Sequence, residues 1–259
     1  MFRLPSQAMP PFEIVDHIFS FLSWDWNSLR QCSMADPFLA SIAGPYLFRF
    51  TGIMVGSKIK TGPLLPYTCL EITELLSGNP LIATYVQLLE IQIRGPTGEI
   101  IALLPFFSGL KTLVVTWLTG WDCMSTDFIT ALDCCMRLPS LTEVHFDTML
   151  AMPFDFLDKW KNIKSLTFCA INYLIAGLHS EPVPDTPNLQ LESLSIEFDN
   201  RSMYHISGAI NHIHNLRSLT LRDPFHEVLL ETCSTTLTSL CLDFRAHCMF
   251  LHFPDIQCH

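Results

Sequence analysis

Apolar and polar positions near the start of the chain follow a helical spacing. In "PPFEIVDHIFSFL", residues 10–22, Ile14, Ile18, Phe21 and Leu22 fall at i, i+4, i+7 and i+8. They form one stripe, which Val15 and Phe19 widen sideways. Glu13, Asp16, His17 and Ser20 are left for water. A helix this greasy either buries itself in its own domain or keeps a face for another protein. "SWDWNSLRQCSMA" predicts a second helix with Asn27 or Ser28 as cap and Leu29, Cys32 and Met34 on one side. "DPFLASIAGPYLFRF" predicts a third, with Asp36 as N-cap, Pro37 at the first helical position, and a break or kink at Gly44-Pro45 before Tyr46. Three short helices in roughly forty residues enclose a thin core and need something to lean on.

From about residue 84 the rhythm changes to a repeated L-x-x-L-x-L pattern. It reads "YVQLLEIQIRG", "FSGLKTLVVTW", "LPSLTEVHFDT", "WKNIKSLTFCA", "LQLESLSIEFD", "IHNLRSLTLRD" and "STTLTSLCLDF". The middle apolar positions are Leu89, Leu113, Val144, Leu166, Leu194, Leu219 and Leu240, an irregular period that straddles the ~20–29 residues of leucine-rich repeats. Between them lie candidate helical returns. The clearest is "TDFITALDCCMRLPS", with Phe128, Leu132 and Cys135 on one face; "DKW", "MYHISGAINHIHN" and "HEVLLETC" are similar. Strand and helical return, repeated, predict an α/β fold: a curved leucine-rich-repeat-like solenoid with a parallel sheet on its concave face. The expected organisation is a short three-helix module over residues 1–50, a junction and N-terminal cap over 51–83 containing the helix "YTCLEITELLSG", and the repeat array over 84–259.

Composition narrows the possibilities. Of 259 residues only 15% are charged and 49% are hydrophobic, so a large core, a covering partner, or both are implied. A formal net charge of -10 argues against nucleic-acid binding, and no basic amphipathic segment suggests a membrane surface. The greasiest window, residues 100–118, is interrupted by Pro105, Gly109 and Lys111 and is too broken to span a bilayer. The first residues lack an apolar signal core, so a cytoplasmic or nuclear location and reduced cysteines are expected. Cys32, Cys169 and Cys241 stand where a small hydrophobe would serve, and adjacent Cys134 and Cys135 read as core.

Taken together, the two halves resemble F-box proteins with a divergent leucine-rich-repeat-like C-terminal region, in the fungal style. Pro10-Pro11-Phe12-Glu13-Ile14 resembles the family's opening Leu-Pro-x-Glu-Ile, "IVDHIFSFL" its first helix, "LRQCSMADPF" its Leu-x-x-Cys-x-x-Val-x-x-x-Trp segment and "YLFRF" its closing Leu-Phe. The chain departs from the pattern at Pro10, where the family has Leu, at Phe38, where it has Trp, and at Asp36-Pro37, where a basic residue is usual. The resemblance implies that Pro11, Ile14, Ile18, Leu22, Leu29, Cys32 and Met34 contact a Skp-family linker subunit and, through it, a cullin. It further implies a substrate-recognition adaptor of an SCF-type cullin–RING ubiquitin ligase whose array holds a client protein. A repeat scaffold unconnected to ubiquitin is the alternative, and a hydrolase a distant third.

In such strands the residues between the buried positions share the opposite face and stack into ladders. One ladder is Leu88, Thr112, Glu143, Ser165, Ser193, Ser218, Ser239. The next is Glu90, Val114, His145, Thr167, Ser195, Thr220, Cys241, and the third Gln92, Thr116, Asp147, Cys169, Glu197, Arg222, Asp243. The run of serines is read as small polar residues that tolerate strand crowding. Glu143, His145, Asp147, Glu197, Arg222 and Asp243 are the candidate client contacts, and their acidic balance suits a client with a basic segment; a merely solvated face is the competing reading. His212, His214, His247, Cys248, His252, Cys258 and His259 lack zinc spacing, so no metal and no cofactor are expected. No nucleophile elbow, dinucleotide fingerprint or P-loop appears, and the chain is not expected to be an enzyme.

Overall fold

The computed structural model describes residues 10–56, 67–117, 123–148, 152–153, 160–171, 174–175, 191–198, 216–222 and 236–243. Three helices come first: α1 (Phe12–Phe21), α2 (Trp26–Ala35) and α3 (Pro37–Leu47). Helix α2 begins earlier than its sequence suggested. Asp25, not Asn27 or Ser28, is the cap, and its carboxylate accepts from the Ser28 backbone N–H at 3.1 Å and from the Ser28 hydroxyl at 2.6 Å. These bonds from Ser28 hold the Asp25 carboxyl below its ordinary pKa. Asp36 caps α3 as expected, accepting from Phe38 N–H at 2.7 Å, with Pro37 at the first position. Gly44-Pro45 does not end α3, which runs through Pro45 to Leu47. So close to the C-terminus, proline removes one intrahelical bond, and Phe48 N–H still closes the end on Gly44 O at 3.1 Å.

The chain then enters strand β1 (Phe50–Val55), which repeat reading missed inside the supposed junction. Strand β2 (Tyr67–Thr68) leads into α4 (Cys69–Gly78), the expected helix. A capping box starts it: Glu71 N–H donates to Thr68 Oγ1 at 3.2 Å and Thr68 N–H donates back to Glu71 Oε2 at 2.6 Å. The remaining elements are α5 (Ile82–Tyr85), β3 (Leu88–Ile93), α6 (Gly98–Leu103) with a 3-10 turn at Leu104–Phe106, β4 (Thr112–Trp117), α7 (Thr126–Met136) and β5 (Glu143–Asp147). Beyond these come β6 (Met152–Pro153), β7 (Ser165–Ile171), β8 (Leu174–Ile175), β9 (Ser193–Phe198), β10 (Ser218–Arg222) and β11 (Ser239–Asp243). The returns expected in "DKW", "MYHISGAINHIHN" and "HEVLLETC" lie wholly or mainly outside the described residues.

Nine strands form one open parallel sheet in the order β11-β10-β9-β7-β5-β4-β3-β1-β2, and β6 pairs with β8 apart from it. The seven middle apolar positions fall into one register: Leu89, Leu113, Val144, Leu166, Leu194, Leu219 and Leu240 are paired in succession. Parallel neighbours need a crossover, and here each described crossover lays apolar side chains on the same face of the sheet. Phe128, Leu132, Cys135 and Met136 of α7 pack there beside Ile100 and Leu103 of α6. Trp117 meets Phe128 with ring centroids 5.3 Å apart, and Phe146 lies between Trp160 and Phe168, 5.8 Å from each. Fully burying rings of this size contributes about 1.5–3 kcal/mol each, so they anchor the core.

Glycine is required at the turn into β4. A Cβ on Gly109 would come within 2.6 Å of the Thr84 carbonyl oxygen, closer than van der Waals contact permits. Among the described residues, no helix is long and apolar enough to cross a membrane.

Candidate interaction surfaces

Helix α1 has two apolar sides. Pro11 precedes it without donating a side-chain cap, and Pro11 O accepts from Ile14 N–H at 3.1 Å. Val15 and Phe19, one turn apart, point inward and join Leu29, Ile42 and Ala43 in a small separate core. Tyr46 of α3 sets its ring edge-on to Phe19, and its hydroxyl donates to Asp16 Oδ1 at 2.9 Å, tying α3 to α1. Burial, followed by the Asp16 bond, raises the Tyr46 pKa.

That inward face corrects the sequence reading, which treated Val15 and Phe19 as margins of the stripe. The stripe itself turns outward: Ile14 is 53% exposed, Ile18 50% and Phe21 74%, with Phe12 and Met34 beside them in exposure. Of the residues that resemblance assigned to a linker contact, Pro11, Ile14, Ile18 and Met34 are exposed. Leu22 and Cys32 are half-buried against the small core, and Leu29, 1% exposed, lies inside it. Leu29 therefore supports α2 from within and presents no surface. The expectation that Leu29, Cys32 and Met34 share one side is corrected: Leu29 and Cys32 turn to the small core, whereas Met34 is 68% exposed.

Two exposed tryptophans were not singled out from the sequence. Trp24, between α1 and α2, stacks on Phe50 at 5.8 Å, and the Arg49 guanidinium sits 5.4 Å over the same Phe50 ring. Trp26 opens α2, with Arg30 one turn on and 5.4 Å over its ring. Their signal was the "SWDW" run itself, two large rings placed where a turn normally carries polar residues.

The second surface is the sheet face opposite the helices, where every described alternate residue from β3 to β9 is half-buried. The first two ladders stand in register from β3 to β11, so Ser165, Ser193, Ser218 and Ser239 are paired one after another across four adjacent strands. The third is interrupted. A bulge between Phe168 and Ile171 shifts β7 against β9, so Cys169 is not paired with Glu197 as the repeat spacing implied. Arg222 and Asp243 are partners in the backbone register, and Arg222 also pairs with Glu197; the side chains of Arg222 and Asp243 are outside the described residues.

Acidic groups on this face have hydrogen-bonding neighbours. Glu143 accepts from Thr112 Oγ1 at 3.0 Å and contacts His145 Nε2 at 2.9 Å, while Gln92 Nε2 donates to Glu90 at 2.7 Å. Asp147 is different. Burial raises its pKa, Glu197 and Glu90 add to the rise, and the Thr148 backbone N–H opposes it. Thr148 itself has φ 56°, a left-handed backbone that costs a β-branched residue energy, and its N–H donates to Cys169 O at 2.9 Å.

Among the described residues the cysteines are free thiols. Cys135 is buried in the helix-side core and its pKa is pushed up to about 12; Cys69 is buried likewise and pushed up to about 11, in both cases chiefly by burial. Such thiols stay protonated and pack as small hydrophobes. Cys134 and Cys241 are exposed, so the expectation of a packed thiol at these positions is corrected. Among the described residues no group of His, Cys, Asp and Glu is arranged to hold a metal ion, and the histidine- and cysteine-bearing tail lies outside them.

No protein-family model matches the chain, and no curated protein sequence matches it.

Proposed function

We propose that the protein is the substrate-recognition adaptor of an SCF-type cullin–RING ubiquitin ligase, working in the cytoplasm or nucleus. The N-terminal helices act as an F-box-like module on a Skp-family linker, and the sheet region acts as a leucine-rich-repeat-like array that holds a client. One observation carries this reading: the outward row Ile14, Ile18 and Phe21, with Phe12 on the same helix, stays exposed although Val15, Phe19 and Leu29 already fill the helices' own interior. A contiguous apolar surface left over after the core is filled is the mark of a protein contact. The half-exposed face carrying Glu143, His145, Asp147 and Glu197 offers the client an acidic, hydrogen-bonding surface suited to a basic segment. This chain performs no chemistry itself; it contributes proximity, holding the client near the ubiquitin carrier.

The test is co-elution of the full chain with a purified Skp-family linker in gel filtration. The wild-type chain co-elutes, and Ile14→Asp with Ile18→Asp abolishes co-elution while leaving the unfolding midpoint in place. Wild-type chain that elutes apart from the linker contradicts the adaptor reading and leaves a scaffold role.

A further inference from the structure

Between α2, α3 and the segment from Tyr67 to Tyr85 lies a cleft of about 720 Å³. Its walls are largely apolar, with Trp26, Met34, Leu47, Leu81 and Ile82 among them. Trp26, Met34 and Leu81 are also among the large hydrophobic side chains left exposed. The volume lies within the ~300–1,000 Å³ range of small-molecule sites, which are mostly apolar with a few fixed polar groups.

Formal charge among the described residues lining this cleft has one sign. Arg30 is the single charged residue among those described as lining it, in a chain whose formal net charge is -10. Among the described residues no carboxylate lies within ion-pair distance of Arg30; its guanidinium rests instead on the Trp26 ring at 5.4 Å. The hydroxyls of Tyr67 and Tyr85, both on the wall, have no hydrogen-bond acceptor among the described residues. Tyr67 lies within the electrostatic reach of Arg30: burial raises its pKa, and the Arg30 charge works against the rise. Glu71, the other charge felt by Tyr67, accepts the Thr68 N–H and hydroxyl at the start of α4. One unneutralised cation, phenol donors and an apolar wall complement a single negative charge on a hydrophobic body. A phosphate head, with charge near −2, would be left half-neutralised by one guanidinium.

We infer that this cleft is a binding site for a small amphiphilic monocarboxylate, its head on Arg30 and its apolar body against Trp26, Met34 and Leu81. The site shares Met34 with the residues assigned to the linker contact, but it does not rest on the ubiquitin-ligase reading and survives its failure.

Calorimetric titration of the full chain with decanoate, and in parallel with decan-1-ol, tests it. Decanoate binds once with a dissociation constant below ~1 mM and at least ~10-fold more tightly than the alcohol, as expected where a charge-assisted bond fixes the head. Arg30→Gln erases that preference, leaving the alcohol's affinity unchanged, and Arg30→Lys restores part of it. Ser41→Trp, at an exposed position on the wall, blocks both ligands without moving the unfolding midpoint. Decanoate binding that is absent, no tighter than that of the alcohol, or unaffected by Arg30→Gln overturns the inference.

Discussion

The N-terminal helices and the parallel sheet dispose of their hydrophobic residues in opposite ways. Five buried side chains make the interior of the helices, Val15, Phe19, Leu29, Ile42 and Ala43, and around them stand Phe12, Ile14, Ile18, Phe21, Trp24, Trp26 and Met34 in the open. Those seven are most of the eleven large apolar side chains exposed among the described residues. In the sheet, by contrast, alternation sends most Leu, Ile, Val and Phe to one face, where they meet α4, α6 and α7, and leaves mainly Thr, Ser, Glu and His, with Leu88 and Val114, on the other. Among the described residues the same hydrophobic drive thus yields a sheet whose inward apolar positions are covered up to Leu240 on the last strand, which is 45% exposed, and a helical region with surplus apolar surface. The difference locates where a protein partner adds most by covering what the chain leaves wet.

The largest expected effect breaks the sheet region. Phe146→Ala removes the ring between Trp160 and Phe168 and lowers stability by about 3–5 kcal/mol, read as the midpoint of denaturant unfolding. A loss below about 1 kcal/mol would mean that the stack is not the anchor of the sheet's core.

A paired substitution on adjacent residues of α1 sharpens the contrast inside the helices. Phe19→Ala, on the inward side, costs about 3 kcal/mol or more, whereas Ile18→Asp, on the outward side, stays within about 0.5 kcal/mol. Equal costs would show that the two sides of α1 are not inside and outside.

The smallest effect concerns the polar face of the sheet. Because burial and then Glu197 raise the Asp147 pKa, the folded state holds that proton more tightly than the unfolded chain does. The contribution of Asp147 to stability therefore falls as pH rises from the unfolded to the folded value, and recovers in acid. Asp147→Asn raises the thermal midpoint at pH 7, and the gain fades as pH falls through that window. A gain that persists in acid, or a loss at pH 7, contradicts the assigned burial and repulsion.

Much of the sheet could be read along the chain because a strand's alternation is local and the repeats supply seven copies of it. Leu89 through Leu240 align as their spacing implied, and α7 lies where Phe128, Leu132 and Cys135 placed it. Strand β1 was hidden because "FTGIMV" has no L-x-x-L-x-L companion segment and carries a glycine. The bulge after Phe168 was hidden too, since an extra residue in one strand leaves the apolar rhythm before it intact. In the helices, periodicity found the apolar stripe of α1 but could not decide its inside. Tyr46, thirty residues away, holds Asp16 and Phe19 and so turns Val15 inward and Ile14 outward. The cleft beside Arg30 was equally out of reach, because its walls come from α2, α3 and the segment around α4 and α5.

Hydrogen exchange of the full chain, compared with and without a Skp-family linker, tests the central claim most directly. The account predicts slowed exchange across residues 12–35, where the uncovered apolar row lies, with the sheet strands unchanged. Protection confined to the sheet, or none at all at saturating linker, would contradict it.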